Sequence, residues 1–174
     1  MLLIHSLRVK IAFLFSFSIL LTGCANVIAQ PAPVKPQPAS VSIYPLQGLS
    51  FGAFFQSKTG GSIIIAPTGE RSATGSVILA ELGYSHGPAS FGIEAPAGTM
   101  INILNGPDTK LTGSTGGSIT LHVGRSFPSS PFVSSSQPNG VTTVDIGGTI
   151  TVGSAAATPP GSYSGYLYIT FVQE

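Results

Sequence analysis

Charge is what this sequence has least of. Of 174 residues only 7% are Asp, Glu, Lys or Arg, against roughly 25% in ordinary globular proteins. Lys and Glu solvate exposed helix faces, so their scarcity argues against a helical body. The Gly, Ser, Thr and Pro that replace them suit strands and turns. Beyond the first thirty residues, five bases (Lys35, Lys58, Arg71, Lys110, Arg125) meet six acids (Glu70, Glu81, Glu94, Asp108, Asp145, Glu174), a net charge of −1. They form no basic stripe that could follow a phosphate backbone, which argues against nucleic acid as a partner. Cysteine occurs once, at Cys24. A single thiol cannot close an internal disulfide, so burial alone must hold the domain. His86 and His122 lack the neighbouring ligands of a zinc site, which takes three or four, and are expected to be exposed. Nothing in the sequence asks for a cofactor.

What is present begins with a targeting segment. Arg8 and Lys10 precede an eleven-residue apolar run, "IAFLFSFSILL", Ile11 to Leu21. This fits the core of a secretory signal and falls short of the roughly 20 residues that span a bilayer. The following "LTGC" resembles the bacterial lipobox, whose cysteine becomes lipidated and N-terminal. The expectation is a signal over 1–24 and a membrane anchor on Cys24, with Ala25 resembling the outer-membrane sorting pattern. Ordinary cleavage after "VIA" at Ala29 is the alternative; it would make the signal 1–29 and leave a periplasmic or extracellular protein. Residues 25–40 read as a linker. "QPAPVKPQPAS" holds four prolines, and extended Pro-rich chain at about 3.1 Å per residue would reach roughly 30 Å.

From 41 to 174 the pattern is β throughout. "SIIIA", "SVILAEL", "ASFGIEA", "TMINILN", "SITLHV", "TTVDI", "TITV" and "YSGYLYITFV" are short runs of β-branched and aromatic residues between Gly, Pro, Asn and Ser clusters. The expected fold is an all-β sandwich, immunoglobulin-like or pilin-like, of roughly 7–10 short strands. Alternation turns Ile119, Leu121 and Val123 to one face, with Thr120 and His122 on the other. It likewise groups Val144 with Ile146. In the last run it groups Tyr163, Leu167, Ile169 and Phe171, opposite Tyr166, Tyr168 and Thr170. "SIIIA", apolar on both faces, suggests a central or covered strand. Three glycine pairs, at Gly60, Gly116 and Gly147, each precede a β run and look like one device for entering a strand. Ser126 to Gly140 reads as a long exposed loop whose large apolar groups are Phe127 and Phe132.

The chemistry is thin. "GLSFG" matches G-x-S-x-G, and Ser50, Asp108 and His122 stand in hydrolase order. That motif requires a strand-to-helix elbow, and no helix is predicted after Gly52, so no enzyme is expected. Glu70 and Arg71 follow "APTG", where Pro67 and Gly69 fit the second and fourth positions of a type I turn. Arg71 could hold a ligand carboxylate, or the pair could simply be solvated. Tyr166 and Tyr168, on the polar face of the closing strand, could form a partner surface or stack on sugars.

Together "LSFGAF", "GGSIIIAPTGERSATGSV", "IGGTITV" and "PPGSYSGYLYITF" resemble the bacterial family called domain of unknown function 4402, over about Leu46 to Phe171. Its G-x-Y-x-G closing strand is similar to that of spore coat protein U-like and pilin-like secreted domains. The resemblance implies a β-sandwich outside the cytoplasm with no assigned activity. The reading that follows is a non-catalytic cell-envelope protein with a structural or interaction role, meeting other envelope proteins or like subunits. A pilin-like subunit is the alternative, in which "SVSIYPLQGLSF" supplies a strand within its own molecule or to a neighbour. A carbohydrate-binding module is the second alternative.

Overall fold

A computed structural model describes residues 40–135 and 140–174. Cys24 and the Pro-rich linker lie outside that range. No helix occurs among the described residues. The strands are β1 (Ser42–Gln47), β2 (Ser50–Phe51), β3 (Ala53–Ile65), β4 (Arg71–Ala80), β5 (His86–Gly87), β6 (Ala89–Glu94), β7 (Met100–Asn105), β8 (Thr109–Gly113), β9 (Ser118–Phe127), β10 (Phe132–Val133), β11 (Val141–Val152), β12 (Tyr163–Ser164) and β13 (Ile169–Gln173). Four of these thirteen are two-residue pairings, which leaves nine strands of ordinary length.

The strands form an eight-stranded sheet and a three-stranded sheet, β10-β7-β13, with β2 and β5 as a separate pair. The spine is β11. One edge of it pairs with β9. The other edge is shared: Val141–Ile146 pair with β6 and Gly148–Val152 pair with β3. β1 then lies outside β6, and β4 outside β3. Every ladder is antiparallel; β3–β4 and β8–β9 are hairpins closed by short turns, and the other ladders join strands distant in sequence.

Alternation explains the core. Val144 and Ile146, with Ile93 and Val123, meet Ile101 and Ile103 of the small sheet and Phe132 of β10 in one cluster, against which Leu167, Ile169 and Phe171 also pack. A second cluster gathers Ile63, Ile65, Val77, Ile119, Leu121, Ile150 and Val152. Leu49 and Leu167 touch both clusters. The two sheets therefore make a β-sandwich. β3 is central, flanked by β11 and β4, but it is covered on one face only: Ile63 is fully buried and Ile64 is 37% exposed.

The closing run is not one strand. β12 pairs with β8 in the large sheet, and β13 pairs with β7 in the small one. Between them the chain stays alongside its partner. Thr109 Oγ1 donates to the Tyr166 carbonyl at 2.8 Å, and the Gly106 N–H donates to the Tyr168 carbonyl at 2.8 Å. A single two-stranded ribbon thus bends from one sheet into the other. Side-chain alternation survives the bend, so Tyr163, Leu167, Ile169 and Phe171 all face the core.

The glycine pairs are three devices, not one. Gly116 and Gly117 both take positive φ just before β9, the turn entry that was expected. Gly60 and Gly61 lie inside β3 at a bulge against β4. Only Gly60 has positive φ, and a Cβ on Gly61 would stand 2.1 Å from the Thr74 carbonyl oxygen. Gly147 and Gly148 lie inside β11, where its partner changes from β6 to β3. There a Cβ on Gly147 would meet the Ile65 carbonyl oxygen at 2.3 Å.

Candidate functional site

Glu70 and Arg71 do not act together. The Ala66–Glu70 turn closes as its residues predict: the Gly69 N–H donates to the Ala66 carbonyl at 2.9 Å, with Gly69 in positive φ. Glu70 is exposed at its end and forms no ion pair among the described residues. Arg71 opens β4 and turns inward, its side chain 3% exposed. Its Nη1 donates to the carbonyls of Phe51 (3.0 Å) and Ala53 (3.2 Å). Its Nη2 donates to the Ala80 carbonyl (3.4 Å) and to Glu81 Oε1 (2.6 Å). These contacts use the fork on the protein's own backbone and leave it as a clasp between β2, β3 and β4 rather than a ligand arm. Gly52 makes room for it, since a Cβ there would lie 2.5 Å from Nη1.

Ser50 belongs to β2, paired with Gly87. Its Oγ donates to the Ser85 carbonyl at 2.7 Å. The G-x-S-x-G match therefore runs through β2 to the residue before β3, without a strand-to-helix elbow.

Tyr166 and Tyr168 are 79% and 59% exposed. The register places them beside the outer face of the small sheet, in line with Thr170 and Val172. Thr170 stands opposite Leu104 and Val172 opposite Asn102; on the far side Met100 stands opposite Val133. Met100, Leu104, Val133 and Val172 are all exposed. The tyrosines thus extend an apolar sheet face whose other members run in sequence from Met100 to Val172, which is why alternation within one strand could not reveal it.

An open cleft of about 430 Å³, lined by both polar and apolar groups, lies where β9 passes the edge of β7. β9 carries a one-residue bulge there: Ile146 pairs with Ser126, but Gly148 pairs with Val123. The bulge re-aims Arg125 and Ser126. Asn105 Nδ2 pins it by donating to the carbonyls of Gly124 (2.8 Å) and Val123 (3.3 Å). Ser130 lines the opposite wall and its Oγ accepts the Ile103 N–H at 2.7 Å. At the rim, His122 Nδ1 lies 2.7 Å from Asp108 Oδ1. A carboxylate only accepts, so Nδ1 carries the proton and Nε2 is left for another partner. Sequence reasoning placed His122 on the outward face correctly. The available clue to its partner was the order Asp108–His122 in the hydrolase match, and that pair does meet. Phe132, expected on an exposed loop, is instead buried in β10 beside Ile101, while Phe127 is exposed as expected.

No curated protein and no solved structure matches this chain. The family model described as a domain of unknown function matches residues 41–172, from the residue before β1 to the penultimate residue of β13. The chain therefore belongs to the DUF4402 family.

Proposed function

We propose that the protein is a non-catalytic cell-envelope β-sandwich with a structural or interaction role, exported and held at the outer membrane by lipid on Cys24. The observation that carries the interaction reading is the outer face of the small sheet. Met100, Leu104, Val133, Tyr168 and Val172 present apolar surface to solvent there, in a chain that has few charges with which to mask it. Exposed apolar side chains gathered on one sheet face, here with Asn102 and Thr170 among them, suit contact with another macromolecule, and tyrosine serves such contacts because it buries a large ring and keeps a polar tip. Other envelope proteins or further copies of this chain are the partners proposed.

The anchor and the face are tested together in intact cells. Mass spectrometry of the mature N-terminus is expected to find a triacylated Cys24, and Cys24→Ala is expected to leave the membrane fraction. A photo-crosslinker at position 168 should give a discrete adduct, and one at Thr120, on the outward face of β9, should not. A free N-terminus at Gln30 overturns the anchor; equal labelling at 168 and 120 overturns the interaction face.

A further inference from the structure

We infer that the cleft at the β9 bulge binds a small ligand bearing one carboxylate beside a hydroxyl, the chemistry shared by acidic sugars and free α-hydroxy acids. The inference is independent of the tyrosine face, which lies on the outer side of the small sheet.

The cleft is assembled rather than incidental. Asn105 spends its amide on two bulge carbonyls, fixing the backbone that carries Arg125 and Ser126. Ser130 caps the β7 edge at Ile103, the position at which a further strand would have to pair, because β10 stops at Phe132 opposite Ile101. With that N–H taken, an added peptide strand has no donor to continue the ladder. That leaves a compact molecule as the occupant, and the open cleft of about 430 Å³ has the size of a small-ligand site.

Its lining names the chemistry. Among the described residues Glu81 contacts Arg71 and Asp108 contacts His122, so Arg125 reaches this cleft with no carboxylate contact of its own. A guanidinium matches a carboxylate in two parallel hydrogen bonds. With Nδ1 held by Asp108, His122 Nε2 is left to hydrogen-bond a ligand hydroxyl, which can both donate and accept. Ser126 and Ser129 add hydroxyls that both donate and accept. Arg125 is the one guanidinium in the lining, with no lysine beside it, and a single fork matches a singly charged carboxylate.

The test is calorimetric titration of the full-length protein in detergent with galacturonate, lactate and galactose. At least one of the two acids is expected to bind, and galactose to bind more weakly than either acid that does. Tighter binding of galacturonate assigns the site to acidic sugars, and tighter binding of lactate to free hydroxy acids. Arg125→Ala should weaken the acid about tenfold or more. Arg125→Lys, which keeps the charge and loses the fork, should fall between. Arg125 is exposed, so both variants should unfold at the wild-type temperature, which separates a lost ligand contact from a lost fold. Failure of both acids to bind overturns the inference. So does galactose binding as tightly as the acids, or unchanged affinity in Arg125→Ala.

Discussion

Tyr44 stands directly opposite Gly92 across the β1–β6 ladder, and its ring covers the glycine so closely that a Cβ there would lie 2.5 Å from the ring carbons. The opposite edge of the large sheet repeats the arrangement. Tyr163 pairs with Gly113, whose Cβ would lie 2.7 Å from the ring. Glycine leaves a strand without side-chain contact, and an aromatic ring laid over it restores that contact across the ladder. Each tyrosine thereby fastens an edge strand. Gly92→Ala should cost about 1–3 kcal/mol by forcing the ring away, and Tyr44→Ala about 1 kcal/mol. Because both act on one contact, the double variant should cost clearly less than the sum. Urea denaturation of the four proteins measures it.

β1 occupies the β6 edge of its own molecule, the in-cis choice between the two roles open to the N-terminal segment. A chain lacking residues 42–47 should therefore melt at a lower temperature, with the β6 edge bare. The peptide SIYPLQ added in trans should restore the melting temperature, and a scrambled peptide should not. Strand exchange between copies requires that restoration; a truncated chain indifferent to the peptide removes its basis.

Arg71 and Glu81 meet at 2.6 Å with side chains 3% and 81% exposed. The two ends of this pair should have unequal weight. Arg71→Met leaves the carbonyls of Phe51, Ala53 and Ala80 without their side-chain donor, and should cost about 2–4 kcal/mol. Glu81→Gln loses only a solvent-screened partner and should cost at most about 1 kcal/mol. Chemical denaturation ranks them, and equal losses would mean that the ion pair, not the carbonyl clasp, holds β4.

The glycine pairs predict a hierarchy. At Gly61 and Gly147 a Cβ would strike backbone oxygen, so alanine at either should cost about 3 kcal/mol. At Gly116 there is open space and only positive φ to oppose alanine, so the loss should be about 1 kcal/mol. Melting temperatures of the three single variants give the order.

Neighbours in one strand test the face assignment. Ile63→Ala should cost about 2–5 kcal/mol, and Ile64→Ala within about 1 kcal/mol, because Ile63 is fully buried and Ile64 is 37% exposed. Comparable losses would require a covering layer over the outer face of β3.

Alternating apolar residues made most of the core legible in advance. Ile119, Leu121, Val123, Val144 and Ile146 are all buried as their periodicity required, because a pleated strand turns every second side chain the same way. The sequence by itself therefore determined an all-β body without internal disulfides, its inward faces, its turn at Pro67–Gly69 and its membership of a family. It could not say which strand stands beside which. Pairing partners lie far apart along the chain, and their register depends on packing that no local pattern encodes. That is why the closing run, continuous in its alternation, divides between two sheets, and why glycine pairs of identical appearance serve a turn, a bulge and a change of partner. It is also why Arg71 turned away from adjacent Glu70 to reach Glu81 and three carbonyls, and why His122 meets Asp108 at the rim of the cleft that Arg125 lines. Alternation is written into neighbouring residues; convergence is decided only when distant strands pack.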